Sequence, residues 1–465
     1  MTESLDSGPG VSANNSSLLP QNARLSLWPL VVATFFMVSG GTYGTEDIVH
    51  GAGYARGMLI LLLTPLLWSL PTAFMLGELS SAIPAEGGYY AWVCRGCGKF
   101  WGFQEAWLSL VASIFDMAIY PTLFVAYLKH LFPWFGEHGR GVIVGLAVVA
   151  ACALLNIAGV RAVATTSVWL FVALSAPFAV ICCVAPFRHG TLASAAPPSA
   201  STVGILGGIL ISMWNYMGWD NASTIATEVE RPQHTYPRAM FLAVLVVALS
   251  YIIPVGAMSL TGLPSSAWET GSWADVAGML GGHGLRVALV LGGLFSSFGM
   301  LNALVMSYSR LPLAMAQDGM LPSVFAKLHP RTRAPWVAIA ACALGWAACL
   351  GLDFERLVTI DILLSGASVL LEFAALIALR YSEPELLRPF RIPGGMAGAW
   401  LAAVFPLLFL GLAAAHGQRE SVWGVSAFTA GLLLILSGLV PYWLNRLLKP
   451  AGWVSPEREP SPGTD

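Results

Sequence analysis

The chain has 465 residues, 56% of them hydrophobic and 10% charged, with a mean hydropathy of +0.71 and a formal net charge of −2. A soluble protein carries about 25% charged residues, so this chain has too little charge to cover a water-exposed surface, and its apolar content excludes disordered and collagen-like chains. With no basic excess to engage nucleic acid, the class that remains is a polytopic membrane protein.

Residues 1–23 are rich in Ser, Asn, Gly and Pro and lack the charged-then-apolar order of a cleaved signal peptide; they read as a flexible tail. Twelve apolar runs follow, each long enough to cross a bilayer as a helix. They fall near 25–50, 55–82, 101–128, 141–159, 163–186, 203–228, 237–261, 285–310, 335–351, 358–380, 398–416 and 423–445. Residues 448–465 read as a second tail. Long continuous runs exclude a membrane β-barrel, which shows short alternating segments. The predicted fold is an all-α membrane protein of about twelve transmembrane helices.

Span 1 contains Ser39-Gly40-Gly41-Thr42-Tyr43-Gly44-Thr45-Glu46-Asp47. Three glycines in five positions break a membrane helix, and irregular backbone at that depth is tolerated only where it is buried or lines a cavity. Close glycine packing between helices is the simpler alternative, but two acids follow at once. Span 2 carries Glu78 near its cytoplasmic end. The following loop holds Cys94-Arg95-Gly96-Cys97, a lone C-x-x-C that lacks the second pair a structural zinc needs; it is expected to be a cytoplasmic loop. Span 3 carries Glu105, Asp116 and Tyr120. Span 6 contains Trp214-Asn215-Tyr216-Met217-Gly218-Trp219-Asp220-Asn221 and ends near Glu228, and span 10 carries Asp361 and Glu372. Gly44-Thr45-Glu46-Asp47 and Gly218-Trp219-Asp220-Asn221 share one pattern in spans 1 and 6. Interrupted helices at corresponding positions of two halves point to a transporter binding site.

With the N-terminus in the cytoplasm, sixteen of the 23 Lys and Arg fall on the cytoplasmic side and seven on the other, which the positive-inside rule favours. Both termini are then cytoplasmic. The bases lie at span ends or in loops, whereas several acids lie within spans. Ionisable groups inside a membrane protein mark pathways or sites, and acids without fixed bases suit a cationic ligand or protons. A packing role for a neutral acid is the alternative for each.

The segments SGGTYGTED, GELSSAIPAEGGYYAWV, FWGFQEAW, DMAIYP, NYMGWDNASTIATEVERPQHTYPRA, AQDGMLP and RPFRIP together resemble the amino acid–polyamine–organocation permease superfamily. Within it they look closest to plant and trypanosomatid polyamine uptake permeases, from about Trp28 to about Pro393. The resemblance implies a LeuT-type fold: an inverted repeat of five plus five spans, 24–187 and 203–380, with two further helices in 397–447. It implies a secondary transporter for a polyamine or an amino acid, working by alternating access in the plasma membrane. Proton coupling is expected because buried carboxylates titrate.

By the same resemblance, Gly40, Gly41, Thr42, Tyr43, Glu46, Asp116, Tyr120, Trp214, Asn215, Tyr216, Trp219 and Asp220 are the expected substrate-binding residues. Glu46, Asp116 and Asp220 are the expected ammonium partners, and Gly218 is the unwound point of span 6. Glu78, Glu228 and Glu372 are gate or proton-relay candidates, with Arg95, Arg231 or Arg238 as partners of the first two. Asp47 is expected at the outward rim. Tyr43, Met117 and Leu304 depart from the branch, the last replacing an acid, so a diamine, an agmatine-like cation or a cationic amino acid fits as well as a long polyamine. A permease-like sensor that binds amine without transport is the alternative function, disfavoured by the short tails. No nucleotide motif, metal-ligand spacing or catalytic cluster occurs, so no enzyme activity, cofactor, metal or nucleotide is expected.

Overall fold

The computed structural model describes residues 24–136, 139–188, 202–350, 354–418, 421–422 and 424–448. Both expected tails lie outside the described residues, apart from Leu448. Among the described residues the chain is all-α apart from a two-stranded ribbon pairing Ser421–Val422 with Val425–Ser426. Nine helices among the described residues are long and apolar enough to cross a membrane, and shorter apolar helices cover Leu27–Val38 and Trp336–Ala347.

The expected span 1 is interrupted. Helix α1 (Leu27–Val38) stops at Ser39, and the chain resumes as α2 at Glu46 in the run Glu46–Ala82. Non-helical geometry at Gly53 then divides the end of span 1 from span 2. Helix α3 (Tyr89–Cys97) precedes α4 (Lys99–Leu128), so the C-x-x-C expected in a loop sits at the end of a helix. The Gly87-Gly88 turn before α3 lies against backbone: a Cβ on Gly88 would meet the Ser223 carbonyl carbon at 2.5 Å. Spans 4 and 5 become α5 (Arg140–Ile157) and α6 (Val160–Val184).

Span 6 is also broken. Helix α7 (Thr202–Asn215) is followed by an unwound point and a 3-10 segment, Trp219–Glu228. Then come α8 (Pro232–Ser259), α9 (Trp273–Tyr308), α10 (Arg310–Gln317), α11 (Trp336–Ala347), α12 (Phe354–Ser382), α13 (Gly395–Gly417), α14 (Ala427–Ser437) and α15 (Leu439–Leu448). Span 8 gains an extra turn-and-helix at its start, where Gly282 has non-helical geometry.

Helices α4 and α9 are mostly buried, whereas α6, α13 and α14 expose large apolar side chains such as Trp169, Leu408 and Leu433. Without a water-driven preference for buried apolar groups, a lipid-facing helix keeps them outside. The least exposed helices therefore frame the centre, where the two breaks meet.

Candidate functional site

The breaks exist because glycine tolerates backbone that other residues avoid. Gly41 and Gly44 have φ of 77° and 89°, and Gly218 has 89°. A Cβ on Gly218 would sit 2.5 Å from the Met37 carbonyl oxygen, so the two unwound points touch backbone to backbone. Backbone groups freed from a helix must find partners inside the protein, and here many do. The Gly40 carbonyl accepts the Ser296 hydroxyl at 2.5 Å, and the Thr42 carbonyl accepts Trp273 Nε1 at 3.1 Å. Asn215 Nδ2 donates to the Gly44 carbonyl at 3.2 Å, tying one break to the other. The Asn215 carbonyl accepts the Tyr251 hydroxyl at 2.7 Å, and the Tyr216 carbonyl accepts Trp219 Nε1 at 2.8 Å.

A narrow cavity opens beside the crossing. Met37 and Val38 line it from the end of α1, Asp116 and Tyr120 from α4, Trp214 from α7, Asp220 and Asn221 from the 3-10 segment, and Tyr308 from α9. Ser109 of α4 and Asp361, Ser365 and Ser368 of α12 complete its polar wall. Asp116 accepts the Tyr120 hydroxyl at 2.6 Å and the Tyr308 hydroxyl at 3.5 Å. Asp361 accepts the Ser365 hydroxyl at 2.9 Å. Three carboxyls thus face one space with three aromatic side chains, and no described Lys or Arg lines it.

Of the expected binding residues, the structure brings Asp116, Tyr120, Trp214 and Asp220 to this cavity. It places Glu46 elsewhere. That carboxylate is fully buried and accepts the Gly44 N–H at 2.6 Å, the Tyr127 hydroxyl at 2.7 Å and the Gly271 N–H at 3.2 Å. It ties the break to α4 and to the turn before α9, and three protein donors already engage its two oxygens. Gly40, Gly41, Thr42, Tyr43, Asn215, Tyr216 and Trp219 are also absent from the cavity wall. Thr42 donates to the Ser250 carbonyl at 2.6 Å, Tyr43 to the Leu289 carbonyl at 2.8 Å and Tyr216 to the Leu61 carbonyl at 3.0 Å. These residues hold the breaks in shape around the cavity. Asp47 accepts the exposed Thr270 hydroxyl at 2.8 Å, at the same end of the molecule as Glu46.

The gate candidates find partners other than those expected. Glu78 is bonded by Arg380 at 2.5 Å and lies 3.3 Å from Arg388, while also accepting the Ile392 N–H at 2.8 Å. Glu228 pairs with Arg310 at 3.0 Å. Arg95 instead takes Glu383 at 2.6 Å. A buried carboxylate needs a guanidinium delivered to the same depth, and these partners come from segments distant in sequence. Glu372 is fully buried, outside the cavity wall, and neither carboxyl oxygen has a hydrogen-bond partner. Sequence reasoning left Ser109, Ser365, Ser368 and Tyr308 out of the site. For the two α12 serines the signal was a spacing of four, three and four residues, which places Asp361, Ser365, Ser368 and Glu372 on one face.

The amino acid permease family model matches residues 31–437. The chain belongs to the amino acid permease family. It is 34% identical to the polyamine transporter RMV1 of Arabidopsis thaliana over 426 residues, 89% of this chain and 85% of that protein. It is 33% identical to the polyamine transporter PUT1 of Oryza sativa subsp. japonica, covering 90% of this chain and 78% of the relative. The serine/threonine exchanger SteT of Bacillus subtilis (strain 168) is 26% identical over 70% of this chain and 75% of its own. This family member is therefore a multi-pass membrane permease for amines or amino acids, and not an enzyme.

Proposed function

We propose that the protein is a secondary transporter of an organic cation carrying one or more ammonium groups, with a polyamine as the substrate class that fits best. The observation that carries this reading is the cavity in which Asp116, Asp220 and Asp361 converge with no base among the described residues that line it. Burying charge without a partner costs several kcal/mol, and an ammonium group would offset that cost. Trp214, Tyr120 and Tyr308 add aromatic faces suited to a cation. The similarity to two polyamine transporters points the same way.

In this reading the segments 24–187 and 203–380 are the two inverted repeats, and their broken first spans cradle the substrate. Alternating access comes from rocking spans 1, 2, 6 and 7 against the rest. Protons drive uptake across the plasma membrane, with both termini in the cytoplasm. The Glu228–Arg310 and Glu78–Arg380 pairs close the cytoplasmic side.

The test is uptake of radiolabelled putrescine, spermidine, arginine and neutral amino acids into proteoliposomes, with and without a proton gradient. Gradient-stimulated amine uptake is expected. Asp220→Asn should abolish it while the protein still inserts and purifies as a single species. Uptake of neutral amino acids alone would overturn the reading, and wild-type transport by Asp220→Asn would remove that residue from the site.

A further inference from the structure

Helices α4 and α12 run antiparallel, because Arg95 just before α4 pairs with Glu383 just after α12. The Ser109 and Ser368 hydroxyls, 3.0 Å apart, set the register between them. Seven residues on from Ser109 stands Asp116, and seven back from Ser368 stands Asp361. Four residues back from Ser109 stands Glu105, and four on from Ser368 stands Glu372. Two carboxyl pairs therefore face each other at two depths, with a serine pair between them. At 1.5 Å per residue the upper pair lies about 10 Å from the serines and about 16 Å from the lower pair.

The lower pair has no assigned partner. Glu105 is fully buried; its Oε1 accepts Ser109 at 3.0 Å and Ser368 at 2.8 Å, while its Oε2 has no hydrogen bond. Both serines line the cavity, so the Glu105 carboxyl stands one hydroxyl behind its wall. Glu372 has both oxygens unsatisfied. Buried polar atoms in a native protein are rarely left without partners. Among the described residues neither acid is in a salt bridge.

We propose that Glu105, with the Ser109 and Ser368 hydroxyls, is a second ammonium subsite that selects linear amines carrying a cation at each end. This rests on the amine reading of the cavity and adds the basis of its length selectivity. One ammonium occupies the Asp116–Asp361 level. The other reaches the serine pair, displaces the hydroxyls from Oε1 and pairs with the Glu105 carboxylate. The end-to-end span of spermidine is about 11 Å extended, from nine bonds of about 1.5 Å in zigzag, which matches the distance of about 10 Å from the upper pair to the serine pair, where Ser109 and Ser368 hold Glu105 Oε1. A monoamine of similar girth fills the first level only.

The experiment measures the spermidine KM and the inhibition constant of n-butylamine against spermidine uptake in proteoliposomes. In the wild type, spermidine should bind at least about tenfold more tightly than n-butylamine. Glu105→Gln should raise the spermidine KM about tenfold, the scale of a lost charge-assisted hydrogen bond, with the n-butylamine constant unchanged within about twofold. Glu105→Asp should keep part of the preference. If Glu105→Gln does not fold, the double change Ser109→Ala with Ser368→Ala, which strips the hydroxyls from the same subsite, should narrow the same ratio. Equal effects on both amines, or an unchanged spermidine KM, would overturn the subsite while leaving the cavity reading intact. A wild-type protein that recognises neither amine would overturn the cavity reading and the subsite with it.

Discussion

Asp116 accepts two tyrosine hydroxyls and still faces the cavity, whereas Glu46 accepts three donors and faces none of it. Both are buried acids beside the broken spans, and the sequence does not separate them, because the difference lies in donors supplied from far away: Tyr127 and Gly271 for one, Tyr308 for the other. The geometry predicts different kinetics. Asp116→Asn should raise the KM for an amine substrate at least about tenfold, since a charge partner is lost, while folded yield stays near wild type. Glu46→Gln should lower Vmax or folded yield and leave KM nearly unchanged, because a glutamine turns one donating NH2 toward donors that need an acceptor. Uptake kinetics paired with size-exclusion profiles distinguish the two. Outside the spans, Arg95 holds the Glu383 carboxyl below the usual carboxylate range through hydrogen bonds and charge. A depressed folded value adds stability above the ordinary carboxylate range and loses it as pH falls through the depressed value. The pair is largely exposed, so its worth is under about 1 kcal/mol. Glu383→Gln should therefore shift the melting temperature slightly at pH 7 and not at all in strong acid.

The two helix breaks were legible at the level of the element. Three glycines followed by two acids marked the first, and the aromatic-Gly-aromatic-acid run marked the second. What could not be read was that the breaks touch, since that requires knowing that α1 and the 3-10 segment cross at Met37 and Gly218. The same limit hid the acid partners. Glu78 finds Arg380 and Arg388 some 300 residues along the chain, and no local pattern encodes which helix end arrives beside it. The four-three-four spacing of Asp361, Ser365, Ser368 and Glu372 was visible as a helical face, but its meaning depends on the opposing face of α4. The contact at Gly218 carries its own prediction. Gly218→Ala places a Cβ 2.5 Å from a backbone oxygen, at a φ of 89° that L-residues rarely adopt. Neither atom can move without shifting a helix end. The variant should lose transport outright and melt several degrees below wild type. Gly207→Ala, at a helical position with nothing within 4 Å, should retain both.

For the whole molecule, the all-helical membrane class followed from hydropathy, because a bilayer leaves the backbone few other solutions. The direction in which the bundle sits in the membrane rests on a weaker signal, the distribution of bases. The structure groups the relevant residues into two ends. One end holds Arg95, Glu383, Arg388 and the Glu78 cluster. The other holds Asp47 with Thr270, and Asp275 with Arg286. The first end is rich in arginine, so it should face the cytoplasm. Glu385 is exposed at that end and Glu269 is exposed at the opposite end. In a cysteine-free background, Glu269→Cys should react with a membrane-impermeant maleimide in intact cells, and Glu385→Cys only after permeabilisation. The reversed pattern would invert the orientation, turning the Glu228–Arg310 and Glu78–Arg380 clusters into the outward closure. A third variant, Ser368→Cys, reads out closure. If these clusters seal the cytoplasmic side, a cysteine at Ser368 in the cavity should be protected from the reagent applied from the cytoplasm, and saturating amine should alter its labelling only from the side on which the cavity opens.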